Sequence, residues 1–206
     1  MSPKVSREHK EQRRVKLIEA AREVFIEHGY ENTTMKHVME KAGVSRGGLY
    51  QYFENKEDLF RAVIEEQHQE VFDESEDKKP NQQNSYWDAL LSTFLGESKK
   101  PNDNMDPLSS SKLEYFMTGR NEDGRRDYAR QRYNQAIEVT AMIIEEGKKA
   151  GEFSTRFKST TIAKSIISHI DGLALDYAIL DSETIELKEQ TEMLINSLRW
   201  SLGLEE

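Results

Sequence analysis

Cysteine is absent from the 206 residues, so neither a disulfide framework nor a thiolate metal site is open to this chain. Proline (4) and glycine (11) are scarce, which leaves few places where a helix must stop. No apolar run approaches the ~20 residues that a membrane-spanning helix needs. The first residues are charged rather than hydrophobic, so no signal peptide or membrane anchor is expected, and a cytoplasmic location is the simplest expectation. The five histidines, His9, His28, His37, His68 and His169, show no i, i+3 or i+4 pairing, and no metal site is expected from them. A Gly-rich phosphate loop, a G-x-S-x-G elbow and an H-E-x-x-H helix are all missing. The expectation is a protein that is not an enzyme, with no catalytic residues and no cofactor.

Charge and helical patterning fill the space these absences leave. Charged residues make up 33% and hydrophobic residues 36%, a balance suited to a mainly helical soluble protein. The net charge of −9 seems to speak against nucleic acid, but it is unevenly distributed. Residues 1–56 carry 11 Lys and Arg against 8 Asp and Glu, whereas residues 57–206 carry 18 against 30. A basic leading segment followed by an acidic remainder directs an anionic partner to one end of the chain.

Within the basic segment, Thr33 to Phe53 reads TTMKHVMEKAGVSRGGLYQYF. Met35, Val38, Met39 and Ala42 fall on one face of a short helix, with Thr33 or Thr34 available as its cap. Gly43 suits a left-handed stop, and Ser45 can cap a second helix after a turn of about three residues. That spacing predicts a helix-turn-helix. On the second helix Leu49 and Phe53 share the inner face and can pack on Val38 and Ala42. Outward lie Gly47, Gly48 and Gln51, flanked by Tyr50 and Tyr52. A face without side chains lets a helix approach the floor of a major groove, while the phenols reach phosphates. Arg46, in the first turn, matches the O6 and N7 acceptors of guanine. The competing interpretation is a small helical hairpin softened by glycine.

KAGVSRGGLYQYFENKEDLF, preceded by TTMKHVMEKA, resembles the DNA-binding domain of the tetracycline-repressor-like (TetR) family of bacterial regulators. The resemblance runs from Lys16 to Ile64. It implies a three-helix head that binds an operator and a helical body that dimerises and responds to a ligand. Family members often carry a Lys-Gly-Thr triplet where this chain has Arg46-Gly47-Gly48, and His where it has Gln51. Both departures lie on the base-reading face, so the operator sequence does not carry over. The expected DNA-binding residues are Thr33, Thr34, Lys36, Ser45, Arg46, Gly47, Gly48, Tyr50, Gln51, Tyr52 and Lys56. Lys56 is included because a cation at a helix start is unfavourable unless an anion such as a DNA phosphate joins it. The resemblance also places a lysine there against the backbone.

Before this motif, Lys4 to Lys16 is basic and reads either as an arm near DNA or as a polar helix start. Leu17, Ile18, Ala21, Val24, Phe25 and His28 then form the stripe of a first helix ending at Gly29. Asn55 caps a fourth helix carrying Phe60, Val63, Ile64, Gln67 and Val71 to about Glu76. A polar loop over Asp77 to Ser85 follows. Further helices are expected over Tyr86 to Leu95, Leu113 to Thr118, Asp123 to Gly147, Ser159 to Leu180 and Ser182 to Leu202, nine in all. The fold class is all-α: a three-helix helix-turn-helix domain over residues 1–56, then a six-helix effector-binding and dimerisation domain over residues 57–206.

Aromatic and soft residues exceed ordinary core needs in the body, notably Tyr86, Trp87, Phe94, Tyr115, Phe116, Met117 and Tyr133. A ligand pocket lined by Trp87, Leu91, Phe94, Phe116, Met117, Tyr133, Ile137 and His169 is therefore expected. The acidic body favours an apolar or cationic small-molecule effector. Ile167, Asp171, Leu175, Ile179, Leu198 and Trp200 on the last two helices are the expected homodimer interface. The functional expectation is a ligand-responsive homodimeric repressor on a pseudo-palindromic double-stranded DNA operator, with no membrane partner. The alternative is a ligand-independent nucleoid-associated or protein-recruiting DNA-binding protein.

Overall fold

The computed structural model describes residues 7–76 and 85–204, with the side chains of residues 7, 8, 67–76 and 97 left aside. The start of the basic lead-in at Lys4, the side chains of the stripe positions Gln67 and Val71, and all but the last residue of the polar loop from Asp77 to Ser85 fall outside what is described. Among the described residues there are nine α-helices and no strand. They are α1 (Arg7–Asn32), α2 (Met35–Ala42), α3 (Arg46–Tyr50), α4 (Lys56–Glu76), α5 (Tyr86–Leu95), α6 (Ser109–Thr118), α7 (Asp123–Lys149), α8 (Ser159–Ile179) and α9 (Leu187–Leu202). None is long and apolar enough to cross a membrane. Contacts divide the chain into two compact units: residues up to Glu70 with Ser110–Met117, and Val71–Ser109 with the chain from Thr118 on.

The first unit is organised by the apolar stripe of α1. Leu17, Ile18, Ala21, Val24 and Phe25 are all buried, as are Val38 of α2, Leu49 of α3, Phe53, and Leu59, Phe60, Val63 and Ile64 of α4. Phe60 sits at the centre of an aromatic cluster, with ring centroids 4.6 Å from Phe25, 4.9 Å from Tyr30 and 5.2 Å from Tyr115. Tyr115 enters from α6, far along the chain. Its hydroxyl accepts from Arg61 Nε at 2.8 Å and donates to Glu57 Oε1 at 3.1 Å. Burial, opposed by the Arg61 hydrogen bond, pushes this phenol up to about 12. Two more α6 residues bind α1: Ser111 donates to the Phe25 carbonyl at 2.6 Å, and Glu114 accepts from the Glu31 N–H at 3.0 Å. Glu114 fits there because α1 breaks at Gly29, whose missing Cβ would lie 2.7 Å from its carboxylate.

The second unit packs α5 on α7, α7 on α8 and α8 on α9. Its main core joins Leu90, Ile144, Phe153, Ile162, Ile166, Leu194, Leu198 and Leu202. The start of α5 is held twice over. Ser85 caps it from within, and the Glu152 carboxylate accepts the N–H groups of Tyr86 and Trp87, each at 2.8 Å. Helix ends differ from the expectation in several places: α6 starts at Ser109 rather than Leu113, and two ends in α7 and α9 have local reasons. Gly147 does not stop α7; it lies under Phe153, where a Cβ would come within 2.3 Å of the ring. The α9 helix starts at Leu187 rather than Ser182 because Asp181 accepts both the N–H and the hydroxyl of Thr184, holding the intervening residues as turns.

Candidate nucleic-acid interface

Each turn of the helix-turn-helix is fixed by a residue suited to it. Thr34, not Thr33, caps α2: its Oγ1 accepts from the His37 N–H at 3.2 Å. Gly43 closes α2 in the left-handed region with φ 63°, and its N–H and that of Val44 return to the carbonyls of Glu40 and Met39. Ser45 then caps α3 by accepting from the Gly48 N–H at 3.2 Å. Five residues of α-helix do not hold themselves in place. α3 is anchored by Leu49 and Phe53, which are almost wholly buried in the unit's core.

What α3 shows to solvent is a stretch of bare backbone between two large side chains. Arg46, Gly47, Tyr50 and Gln51 are exposed, Gly48 and Tyr52 half-buried. Among the described residues, nothing beyond its own stretch of helix lies within 4 Å of where a Gly47 side chain would begin. The Arg46 guanidinium lies over the Tyr50 ring, 5.3 Å from its centroid, which limits the freedom of both. Thr34, Lys36 and Ser45 are exposed on the same motif.

Two expected DNA contacts are occupied differently. Thr33 is buried, and its hydroxyl donates to the Gly29 carbonyl at 2.7 Å, tying the end of α1 to the start of α2. Lys56 donates to the carbonyls of Tyr30 at 2.7 Å and Glu31 at 3.0 Å, with its ammonium 4.4 Å from the Tyr30 ring centroid. Its cation thus serves the carbonyl end of α1, a favourable placement in its own right. The start of α4 is capped by Asn55, which accepts from the Asp58 N–H at 2.9 Å.

Arg13 was legible only as one of several basic lead-in residues. α1 is helical from Arg7, so Arg13 has a fixed position, and its Nη2 lies 3.5 Å from where a Gly48 Cβ would be. A cation from the first helix therefore stands beside the exposed face of the third. Arg14, one residue on, is turned to Phe53 and to Glu66, 3.7 Å away.

The residues expected to line a ligand pocket do not form one group. Trp87 and Phe94 pack against the main core of the second unit, where Leu91 is also buried. Ile137 belongs to a separate cluster with Ala141 and Ala163, on which Ile167 packs. Tyr133 is 41% exposed, and His169 is half-buried with its Nε2 shut from solvent and without a hydrogen-bond partner. Phe116 and Met117 belong to the first unit, where Phe116 stacks edge-on against Tyr115 and Met117 is exposed. On the last two helices, Leu175, Ile179 and Trp200 are exposed. Leu198 is a correction: it is 4% exposed and lies in the core, because the inward stripe of α9 runs through Leu187, Thr191, Leu194, Leu198 and Leu202.

Comparison with known proteins agrees with this arrangement. Residues 17–63 match the family described as bacterial regulatory proteins, tetR family, and residues 90–188 match the tetracyclin repressor-like C-terminal domain. The uncharacterized HTH-type transcriptional regulator YfiR of Bacillus subtilis is 35% identical over 93% of both chains. The HTH-type transcriptional repressor AcnR of Corynebacterium diphtheriae is 42% identical over a shorter stretch, 31% of this chain and 34% of its own. The solved structure of Salmonella enterica GusR superposes with a TM-score of 0.71, covering 97% of this chain and 98% of its own at 18% identity, a likeness of fold. This chain belongs to the tetR family of bacterial regulatory proteins and is a DNA-binding transcriptional regulator.

Proposed function

We propose that the protein is an effector-responsive repressor that binds a pseudo-palindromic operator as a homodimer. The observation that carries this is the bare face of α3. A glycine pair with Gly47 exposed and Gly48 half-buried, bordered by Arg46 and Tyr50, costs helix stability and gains nothing in solvent, but it fits the floor of a major groove. Arg46 reads guanine, Tyr50 and Lys36 reach phosphates, and Arg13 adds a second cation beside Gly48. Acidic residues predominate from residue 57 on and disfavour DNA on other surfaces.

A second copy meets α8 and α9. Ser165, Ser168, Gly172, Leu175 and Ile179 are partly small and partly apolar residues on one outward stripe of α8, interrupted by the carboxyl of Asp171, with Ile179 72% exposed. Among the described residues, nothing beyond its own stretch of helix comes within 4 Å of a Cβ at Gly172, so a neighbouring backbone has room to approach. The orphaned Nε2 of His169 supports an effector site in the second unit, since a polar ligand group would satisfy it. Such a ligand shifts the equilibrium only by its differential affinity for DNA-competent and incompetent states.

Selection of bound duplexes from a random pool tests this reading. Enrichment of two inverted half-sites with centres about 34–36 Å apart is expected. A single asymmetric site, or no enrichment, would overturn the dimeric operator reading. Titrating the selected duplex complex with apolar and cationic compounds then tests release. If no member of a chemically diverse set lowers DNA affinity, the effector half of the proposal fails.

A further inference from the structure

The fold of the first unit brings together two side chains that the sequence keeps apart. His28 stands on α1 and His37 on α2, with ring centroids 5.0 Å apart and ring planes at 41°. His28 is exposed and His37 half-buried. The Nδ1 atom of His37 is shut from solvent and has no hydrogen-bond partner, a state that folded proteins rarely leave uncompensated. Both rings stand on defined backbone. The His37 N–H is held by the Thr34 cap, and the His28 carbonyl accepts from Asn32 Nδ2 at 3.3 Å. Elsewhere along the same helix pair, Lys41 and Glu23 pair at 2.5 Å. The seam between α1 and α2 therefore carries an ion pair at one place and two facing imidazoles at another.

Neutral imidazole is the usual ligand of borderline divalent cations. A metal–nitrogen bond of about 2.0–2.1 Å puts the ion roughly 3.2 Å from the ring centroid, so two rings sharing it at a tetrahedral angle have centroids about 5.2 Å apart. The observed 5.0 Å is close to that separation. We propose that His28 and His37 form a two-imidazole site for Zn2+, Cu2+ or Ni2+ that braces α1 against α2. No group of three or more His, Cys, Asp or Glu among the described residues could hold a metal ion. Water on the exposed His28 side therefore completes the coordination shell, which makes the site exchangeable rather than a structural zinc centre. The inference is independent of the repressor reading, because its ligands and its effect lie within the seam.

The test uses the full-length chain, free of any affinity tag and stripped of metal. With Zn2+ or Ni2+ at about a hundredfold excess over the dissociation constant, Tm is expected to rise by several degrees. His28→Gln, at an exposed position, should keep the metal-free Tm and lose the rise. His37→Gln should lose it too. With one equivalent of Cu2+, the electron paramagnetic resonance spectrum should show coupling to two imidazole nitrogens, reduced to one in His28→Gln. A Tm rise of equal size in His28→Gln would assign the metal to other groups and overturn the proposal. So would wild-type protein with no rise, or a copper spectrum unchanged by the substitution.

Discussion

The two units of this protein reach stability by different routes, and the difference explains where function sits. The first unit gathers Phe25 and Tyr30 of α1, Phe60 of α4 and Tyr115 of α6 into one aromatic cluster. That cluster gives the unit a buried base, so α3 can consist of Leu49 as an anchor and an outer face of Arg46, Gly47 and Tyr50. The second unit relies on long helices with aliphatic seams, through Ile144, Ile162, Ile166, Leu194 and Leu198. It keeps apolar side chains such as Leu175 and Ile179 outside its own core. One unit is built to present a short rigid element; the other is built to leave a face uncovered.

The largest effect expected from this contrast comes from Phe60→Ala. Removing a fully buried ring at the centre of the aromatic cluster should cost about 3–5 kcal/mol. Thermal unfolding followed by circular dichroism should show an early transition that takes operator binding with it, and a later one unchanged from wild type. A single transition shifted as a whole would break the comparison, because the two units would then be one cooperative structure.

Arg46→Ala acts on the same unit without touching its core. A lost bidentate contact to guanine should cost about 1–3 kcal/mol of discrimination at one base pair of each half-site. Non-specific affinity and Tm should change little. If specific and non-specific binding fell together, Arg46 would be a phosphate contact, and base reading would pass to Gln51 or Arg13.

The same contrast governs what could be read in the sequence. The helix-turn-helix was legible almost residue by residue, because its punctuation is local: Ser45, Gly43 and Asn55 each act within four residues of where they stand. The extent of α5 was legible for the same reason, with Ser85 before it and Gly96 after it. What escaped is non-local. Tyr115 lies in an aromatic-rich segment that seemed suited to a pocket, yet it completes the core of the first unit through Glu57 and Arg61. Lys56 has the composition of a phosphate contact, and only the fold shows it turned to the carbonyls of α1. Leu198 is different, because helical spacing already sets it on the inward stripe with Leu187, Thr191 and Leu194, and assigning it to the interface as well asked one side chain to face two ways. His28 and His37 are nine positions apart, so no helical spacing could pair them.

Gly47→Ala separates stability from function at smaller scale. The Cβ would enter open space on a helix, so stability should rise, by at most about 1 kcal/mol and less this close to the helix end. Operator affinity should fall nonetheless, because the methyl group stands where the groove floor must come. A variant with both higher Tm and unchanged operator affinity would show that the bare face is not in contact with bases.

The smallest effect is expected at Asp171, on the outward stripe of α8. Desolvation holds its carboxyl above the usual carboxylate range, although the residue as a whole remains exposed. A raised folded-state value means that the folded protein holds this proton more tightly than the unfolded chain does. The contribution therefore favours folding in acid and is lost as pH rises from the unfolded carboxylate value through the raised one. Asp171→Asn removes the titration. Its melting curve should run parallel to that of wild type below about pH 4, near the ordinary aspartate value, and gain on it as pH rises. If α8 also meets a second copy there, the same substitution should strengthen self-association at neutral pH, because two carboxylates no longer lose solvent on docking. Sedimentation of both proteins at one concentration across that pH range measures this directly. Identical profiles would show that the carboxylate stays hydrated in the assembly, and that the face used by the second copy lies elsewhere on α8 and α9.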